Sequence, residues 1–182
     1  MHFPKFILQK FSNHSISKAH FADLLRLELL IKYGGTWIDA TVLMTKYNEN
    51  FFKKDLFLFQ KIGQKHKTFS NWFITSEKQN PILIILLNLL YEYWRSNNKI
   101  SNYFIFHYFL EMLYAKYNKD FDKMPKYSKH LAHLMQINLF KPFNKSIYNK
   151  IINKISIHKL TYKFKNNITK GLFYHHILNS YC

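Results

Sequence analysis

Asp23 and Arg26 are two of the four charged residues in a segment, residues 21–33, that is apolar nearly all round a helical wheel. The other two, Glu28 and Lys32, are spaced as an i,i+4 pair at its solvated edge. The spacing of three between Asp23 and Arg26 places both side chains on one face of a helix, beside Leu27 and Leu30, where solvated charges are not expected. An ion without a partner is costly to bury, so the two side chains either pair only with each other or line a binding site. Arginine's planar fork suits the second interpretation, in a chain where 25 of the 27 cations are lysine.

Asp39 is the second candidate for chemistry, because it interrupts a run of branched, aromatic and small residues that predicts a strand over residues 36–45. Side chains alternate along a strand, so Asp39 would share a face with Trp37 and Thr41. A carboxylate near the end of a buried strand can present oxygens at the edge of an α/β sheet. The alternative is an Asp in a turn just beyond a shorter strand.

Local signals predict the elements that would position these side chains. Ser17 can cap a helix that ends at Gly34-Gly35, and Asn80-Pro81 begins another that extends to about residue 95. Strands alternate with helices, which is typical of an α/β fold, here with a helical C-terminal half and one domain over residues 1–182. We also predict strands at residues 56–60, 72–75, 155–158 and 161–164, helices at 102–117, 128–138 and from about 170, and an edge element at 3–10.

Composition excludes several classes of protein. One Cys, four Gly and four Pro exclude a disulfide scaffold, a Cys-ligated zinc domain and a collagen-like chain, and 19% aromatic residues exclude a disordered basic tail. The strongest apolar run, residues 81–90, is about half as long as a membrane span, and residues 1–10 do not have the pattern of a signal peptide. We therefore expect a cytoplasmic protein, with peripheral contact at the inner membrane face.

The net charge of +17 is unevenly distributed, since residues 123–182 hold 11 cations and no acid. This surface could meet diphosphate, an anionic membrane or RNA. Because lysine, asparagine, isoleucine, phenylalanine and tyrosine all have A/T-rich codons, part of the basicity reflects base composition. A nucleic-acid partner is for that reason the less favoured interpretation.

Residues 20–27 and 29–42, with Asp and Arg on a helix, then Gly-Gly, an aromatic residue and Asp, closely resemble the core of capsular polysaccharide synthesis proteins. Those are GT-A-type glycosyltransferases related to the enzymes with a DXD sugar-binding motif. The resemblance implies a GT-A-like, Rossmann-like fold and a hexosyltransferase-like enzyme that moves a sugar from a nucleotide-sugar donor to a surface glycan, free or lipid-linked. Since GT-A domains begin with a strand and loop well before this helix, it also implies that the first βα unit is missing.

The resemblance assigns roles to individual residues. Asp23 and Arg26 would bind the donor sugar, and Asp39 would be the catalytic residue that holds ribose and metal. The second motif acid is replaced by Thr41, which keeps an oxygen for the donor but no charge, and this weakens the expected Mn²⁺ or Mg²⁺ site.

Two residues late in the chain are further candidates. His158 would ligate the metal and, with Lys163, bind the diphosphate, because some GT-A relatives have such a His and Lys at similar spacing. The plain alternative is that His158 is one of ten histidines and Lys163 one of 25 lysines.

A second class of function stays open: an inactive transferase remnant or a basic nucleic-acid-binding module. Lysines interleaved with aromatic residues at 162–165 permit base stacking. Such a module does not explain the order of Asp23, Arg26 and Asp39, so we favour the transferase. Asn71 and Trp72 could border the acceptor, although a buried Trp on a core strand is the favoured interpretation of Trp72.

Overall fold

The computed structural model of the chain describes residues 3–62, 68–163 and 170–181. Its strands are β1 (Gly35–Ile38), β2 (Val42–Met44), β3 (Leu56–Gln60), β4 (Phe69–Ser76) and β5 (Ile157–Lys159). Its α-helices are α1 (Lys5–Ser12), α2 (Lys18–Tyr33), α3 (Pro81–Ser96), α4 (Ile105–Lys116), α5 (Asn118–Asp122), α6 (Lys129–Ala132), α7 (Leu134–Asn138), α8 (Lys145–Lys154) and α9 (Phe173–Tyr181). The expectation of a mixed α/β protein with a mostly helical second half is confirmed.

The strands form two small sheets, one of three strands in the order β1-β4-β3 and one of two strands, β2-β5. Every pairing between these five strands is antiparallel. These five strands therefore do not form the parallel sheet edge at which many α/β sites lie. The GT-A-like, Rossmann-like arrangement stays a prediction.

The prediction of one continuous strand over residues 36–45 is wrong. β1 and β2 belong to different sheets, and the chain changes direction between them in a turn closed by a 3.0 Å hydrogen bond from Val42 N–H to the Asp39 carbonyl. Asp39 thus lies in a turn just beyond a shorter strand, which was the alternative interpretation of this residue.

The predicted boundaries of α2 and α3 are confirmed. Ser17 Oγ accepts from His20 N–H, and Asn80 Oδ1 accepts from the N–H groups of the first turn of α3. Gly34 ends α2 with φ +68°, and a Cβ there would lie 2.9 Å from the Lys78 backbone nitrogen. Only glycine fits such a position without strain.

The remaining differences lie mainly after α3. The predicted helix 102–117 begins only at Ile105, and the predicted helix 128–138 is two short helices with His133 between them. Helix α8, capped by Asn144, was not predicted, and α1 occupies the place of the expected edge element. The strand predicted at 161–164 is not formed at 161–163, and its last residue lies outside the described residues.

Both faces of β3 are buried, which explains its unbroken apolar run. Leu58 and Ile74 face a core built with α1 to α4, whereas Phe57, Phe59 and Phe73 face an aromatic core shared with β5. No helix in the described part of the chain is long and apolar enough to cross a membrane.

Candidate functional site

Helix α2 and strand β4 bring Asp23, Arg26 and Asn71 together. Asp23 Oδ1 accepts a 2.8 Å hydrogen bond from Asn71 Nδ2 and lies 3.4 Å from an Arg26 guanidinium nitrogen. The guanidinium also donates to the backbone carbonyls of Ala22, at 3.1 Å, and Asn71. Both charged residues are buried, so the prediction that these ions would need partners inside the protein is met by an ion pair and hydrogen bonds.

Asp39 joins this group from the turn after β1. Arg26 lies between two carboxylates, because its guanidinium is also 3.8 Å from Asp39 Oδ1. The indole Nε1 of Trp37 donates to the same Asp39 oxygen at 2.9 Å, and the Trp37 ring lies 5.2 Å from the Arg26 guanidinium carbon. The Asp39 backbone is fixed by a 2.9 Å bond to the Trp72 carbonyl. Asp39 is therefore held in place from three directions.

Lys159 completes the group from β5, and the sequence did not single it out. Its ammonium lies 3.1 Å from Asp39 Oδ2 and hydrogen-bonds to Thr41 Oγ1. The pairing of Lys159 with Val42 across the β2-β5 ladder sets this contact. We call Asp23, Arg26, Asp39 and Lys159 the ion cluster.

Three residues of the ion cluster, Asp23, Arg26 and Asp39, line a cleft of about 550 Å³, and Lys159 contacts Asp39 without being part of this lining. Aromatic rings and a few polar groups form its walls, as in many small-molecule sites. The main lining side chains are His20, Asp23, Arg26, Trp37, Asp39, Phe69, Asn71, Trp72, Tyr103, Phe104, His107, Lys129, His133 and Tyr162. Three of the four residues assigned to the donor sugar thus meet at one cavity, and Thr41 is joined to them through Lys159.

Burial changes the acid–base properties of this cleft. Desolvation raises the pKa of the Asp23 carboxyl above its usual value, although Arg26 beside it opposes the rise. Burial lowers the pKa of His107 to about 4, with smaller contributions from the charges of Lys129 and Arg26, and burial also lowers the pKa of His133. His107 is therefore neutral near pH 7 and can exchange hydrogen bonds with a ligand.

His158 and Lys163 do not line this cleft. His158 is fully buried on β5, where Nε2 lies 3.3 Å from Thr45 Oγ1, and burial lowers its pKa to about 4. Lys163 is exposed, and its backbone N–H donates to Thr161 Oγ1. Their roles toward diphosphate or metal stay predictions that gain no support from this geometry.

The side chains around Asp39 do not fit a divalent cation. One Asp39 oxygen accepts from Trp37 and the other meets the Lys159 ammonium, which also occupies the Thr41 hydroxyl. Within residues 3–62, 68–163 and 170–181, no group of three or more His, Cys, Asp and Glu could hold a metal ion. Mn²⁺ or Mg²⁺ binding, expected from the resemblance, stays a prediction.

Sequence reasoning missed several of these residues. Asn71, which could border the acceptor, holds Asp23 and lines the cleft, and Trp72 is 6% exposed on a core strand, as favoured. Strand alternation could have pointed to Lys159, because it must face away from the buried His158 beside it. His107 and Lys129 carry no local signal, since only the packing of α4 and α6 brings them to the cleft.

Comparison with known proteins gives three findings. The family model described as "Capsular polysaccharide synthesis protein" matches residues 1–177. No curated protein sequence matches the chain. A solved structure described as "PaToxG Glycosyltransferase" is similar at 21% identity and a TM-score of 0.44, over 82% of this chain and 59% of that one, so the chain spans less than two thirds of that protein.

Proposed function

Because the chain belongs to the family of capsular polysaccharide synthesis proteins, we propose that it is a hexosyltransferase-like glycosyltransferase with a nucleotide-sugar donor and a growing surface glycan as acceptor. The observation that carries the proposal is the meeting of Asp23, Arg26 and Asp39 at one cleft. Burying charged side chains of this kind costs free energy. Binding of a polar ligand to them is a function that would account for their presence in this chain.

Each residue of the cluster has a role that suits its surroundings. Asp23 and Asp39 offer carboxylate oxygens that accept hydrogen bonds from sugar and ribose hydroxyls. Arg26 fixes the positions of both carboxylates, because its guanidinium lies between them and itself donates hydrogen bonds to two backbone carbonyls. Rings such as Trp37 and Tyr103 supply apolar walls for the less polar faces of the donor.

The chemistry requires positive charge near the diphosphate. When the bond between the anomeric carbon and the phosphate oxygen breaks, its electron pair remains on the nucleoside diphosphate. Groups that are already oriented toward this oxygen stabilise the developing charge best. Arg26 and Lys129 both line the cleft and are available for this role.

The acceptor in this proposal is a glycan on a polymer or lipid carrier, and the protein works in the cytoplasm at the inner membrane face. The support is the distribution of charge, since residues 123–182 have no acid. A basic surface is attracted to anionic headgroups within about a Debye length, which would keep the cleft near a lipid-linked acceptor.

Release of nucleoside diphosphate from a panel of nucleotide-sugars tests this function, with purified protein and its Asp39→Asn variant. Asn keeps the shape of the side chain but loses the charge between Arg26 and Lys159, and we expect a fall in rate of about 10²-fold or more. Glu49→Gln is the matched control, because Glu49 is an exposed carboxylate paired with Lys53. Equal rates for Asp39→Asn and wild type would contradict the assigned role.

The competing class is a binding module without catalysis. Donor binding without turnover would favour an inactive remnant of a transferase. Tight RNA binding that weakens steeply with salt would favour the nucleic-acid interpretation.

A further inference from the structure

The ammonium of Lys159 lies beside Asp39, the carboxylate to which the resemblance assigns the metal ion. Strand β5 holds this side chain against the turn between the two sheets, because Lys159 pairs with Val42 in the β2-β5 ladder. Its Nζ lies 3.1 Å from Asp39 Oδ2 and also bonds Thr41 Oγ1. The side chain is 18% exposed, whereas that of Arg26 is 6% exposed. Of the two cations beside Asp39, Lys159 is the one closer to solvent.

Resting on the proposed function, we propose that Lys159 supplies the fixed positive charge for the departing diphosphate, so that sugar transfer requires no divalent metal ion. The residue at position 41 makes this possible. A hydroxyl accepts one hydrogen bond from the ammonium, whereas a second carboxylate beside Asp39 would add a charge that calls for a metal ion.

The partners of Asp39 and Lys159 support this assignment. Both Asp39 carboxylate oxygens already meet a hydrogen-bond donor, Trp37 Nε1 or the Lys159 ammonium, so a divalent cation would have to displace Lys159. A lysine ammonium has three hydrogens, and Asp39 and Thr41 are its two acceptors in the described part of the chain. The third hydrogen can point to a phosphate oxygen.

The reaction balances without a metal ion. The bond from the anomeric carbon to the diphosphate oxygen breaks, and its electron pair stays on that oxygen, which accepts the hydrogen bond from Lys159. The acceptor hydroxyl oxygen forms the new bond to the anomeric carbon, and its proton is released to solvent. Lys159 keeps its own proton throughout and acts by charge alone.

The test compares nucleoside diphosphate release in EDTA with release in Mn²⁺ or Mg²⁺. For the wild type we expect rates within about threefold of each other, and for Lys159→Met a loss of about 10²-fold or more in EDTA. Lys159→Arg, which keeps the charge and protects the fold, should retain more activity than Lys159→Met. Lys150→Met is the matched control, because Lys150 is exposed on α8.

A binding measurement gives a second readout that does not need activity. Calorimetric titration of the protein with MnCl₂ alone should show no saturable binding. Wild-type activity that disappears in EDTA and returns with Mn²⁺ would overturn the role of Lys159 while leaving the transferase intact. No release under any metal condition would instead overturn the proposed function, and saturable Mn²⁺ binding would then also contradict the present inference.

Discussion

Helices α2 and α3 each contain an acid followed three residues later by an arginine, yet the two pairs lie in opposite surroundings. Asp23 and Arg26 on α2 have side chains that are 11% and 6% exposed, whereas Glu92 and Arg95 on α3 are 62% and 61% exposed. The exposed pair is the shorter one, at 2.6 Å against 3.4 Å. Distance within a pair therefore does not indicate which pair matters.

Even the aromatic contacts of the two arginines are alike. The guanidinium carbon of Arg26 lies 5.2 Å from the Trp37 ring, and that of Arg95 lies 5.3 Å from the Phe6 ring. The difference is in the other partners, because Arg26 also meets Asp39 and two backbone carbonyls. An exposed pair contributes about 0–1 kcal/mol, whereas loss of one partner from a buried pair costs about 3–5 kcal/mol.

The largest expected effect comes from Arg26→Met, which leaves Asp23 and Asp39 facing each other without their shared cation. We expect the free energy of unfolding to fall by about 3–5 kcal/mol, measured by urea denaturation, together with loss of donor turnover. Arg95→Met is the matched control and should cost about 1 kcal/mol or less. Similar losses in the two variants would remove the distinction between the pairs.

A second effect extends the comparison to histidines. Burial holds the pKa of His158 at about 4 in the folded chain, against 6.5 as its ordinary value. Below about pH 6.5 the unfolded chain binds a proton at His158, whereas the folded chain does not. The free energy of unfolding therefore decreases as the pH falls from 6.5 toward 4. This group contributes about 2–3 kcal/mol to that decrease.

His158→Leu should therefore flatten the decline of unfolding free energy between pH 6.5 and 4, measured by denaturation at several pH values. His107, whose pKa burial also lowers to about 4, leaves part of the slope in place. His130→Gln, at an exposed position on α6, is the control. An unchanged slope in His158→Leu would show that this residue is not the source.

The smallest expected effect distinguishes the Trp37 contact of Arg26 from the Phe6 contact of Arg95. Trp37→Phe keeps a ring near Arg26 but deletes the Nε1 hydrogen bond to Asp39. Loss of this bond should reduce stability by about 1–2 kcal/mol and donor turnover measurably, because Asp39 is no longer held from β1. Phe6→Leu, which removes the ring near Arg95, should leave turnover unchanged. A turnover loss in Phe6→Leu equal to that in Trp37→Phe would contradict this difference.

Prediction from the sequence succeeded where the cause is local. Ser17, Gly34 and Asn80 mark helix ends because capping depends on groups within about four residues. Prediction failed at residues 39–41, which separate β1 in one sheet from β2 in another. The reason is that pairing partners more than 30 residues away decide where each strand ends. Prediction also missed α8, although the Asn144 side chain caps this helix through an equally local contact.

The candidate site divides in the same way. Residue type and order were sufficient to single out Asp23, Arg26 and Asp39, because charges in apolar segments stand out in any chain. The choice of His158 and Lys163 rested on spacing in relatives, and the structure brings neither to the cleft. Strand alternation places Lys159 on the face opposite the buried His158, but its contact with Asp39 depends on the pairing of β5 with β2.

The sequence by itself determined which residues must be buried, where the main helices begin and end, and which three charged residues require an explanation. Only the tertiary structure decided that Arg26 bridges two carboxylates while Arg95 remains in solvent, and that Lys159 rather than His158 reaches Asp39. The physical reason is that burial and ion pairing depend on contacts between segments as far apart as residues 39 and 159. The free energy of a charge is set by these surroundings and not by its place in the chain.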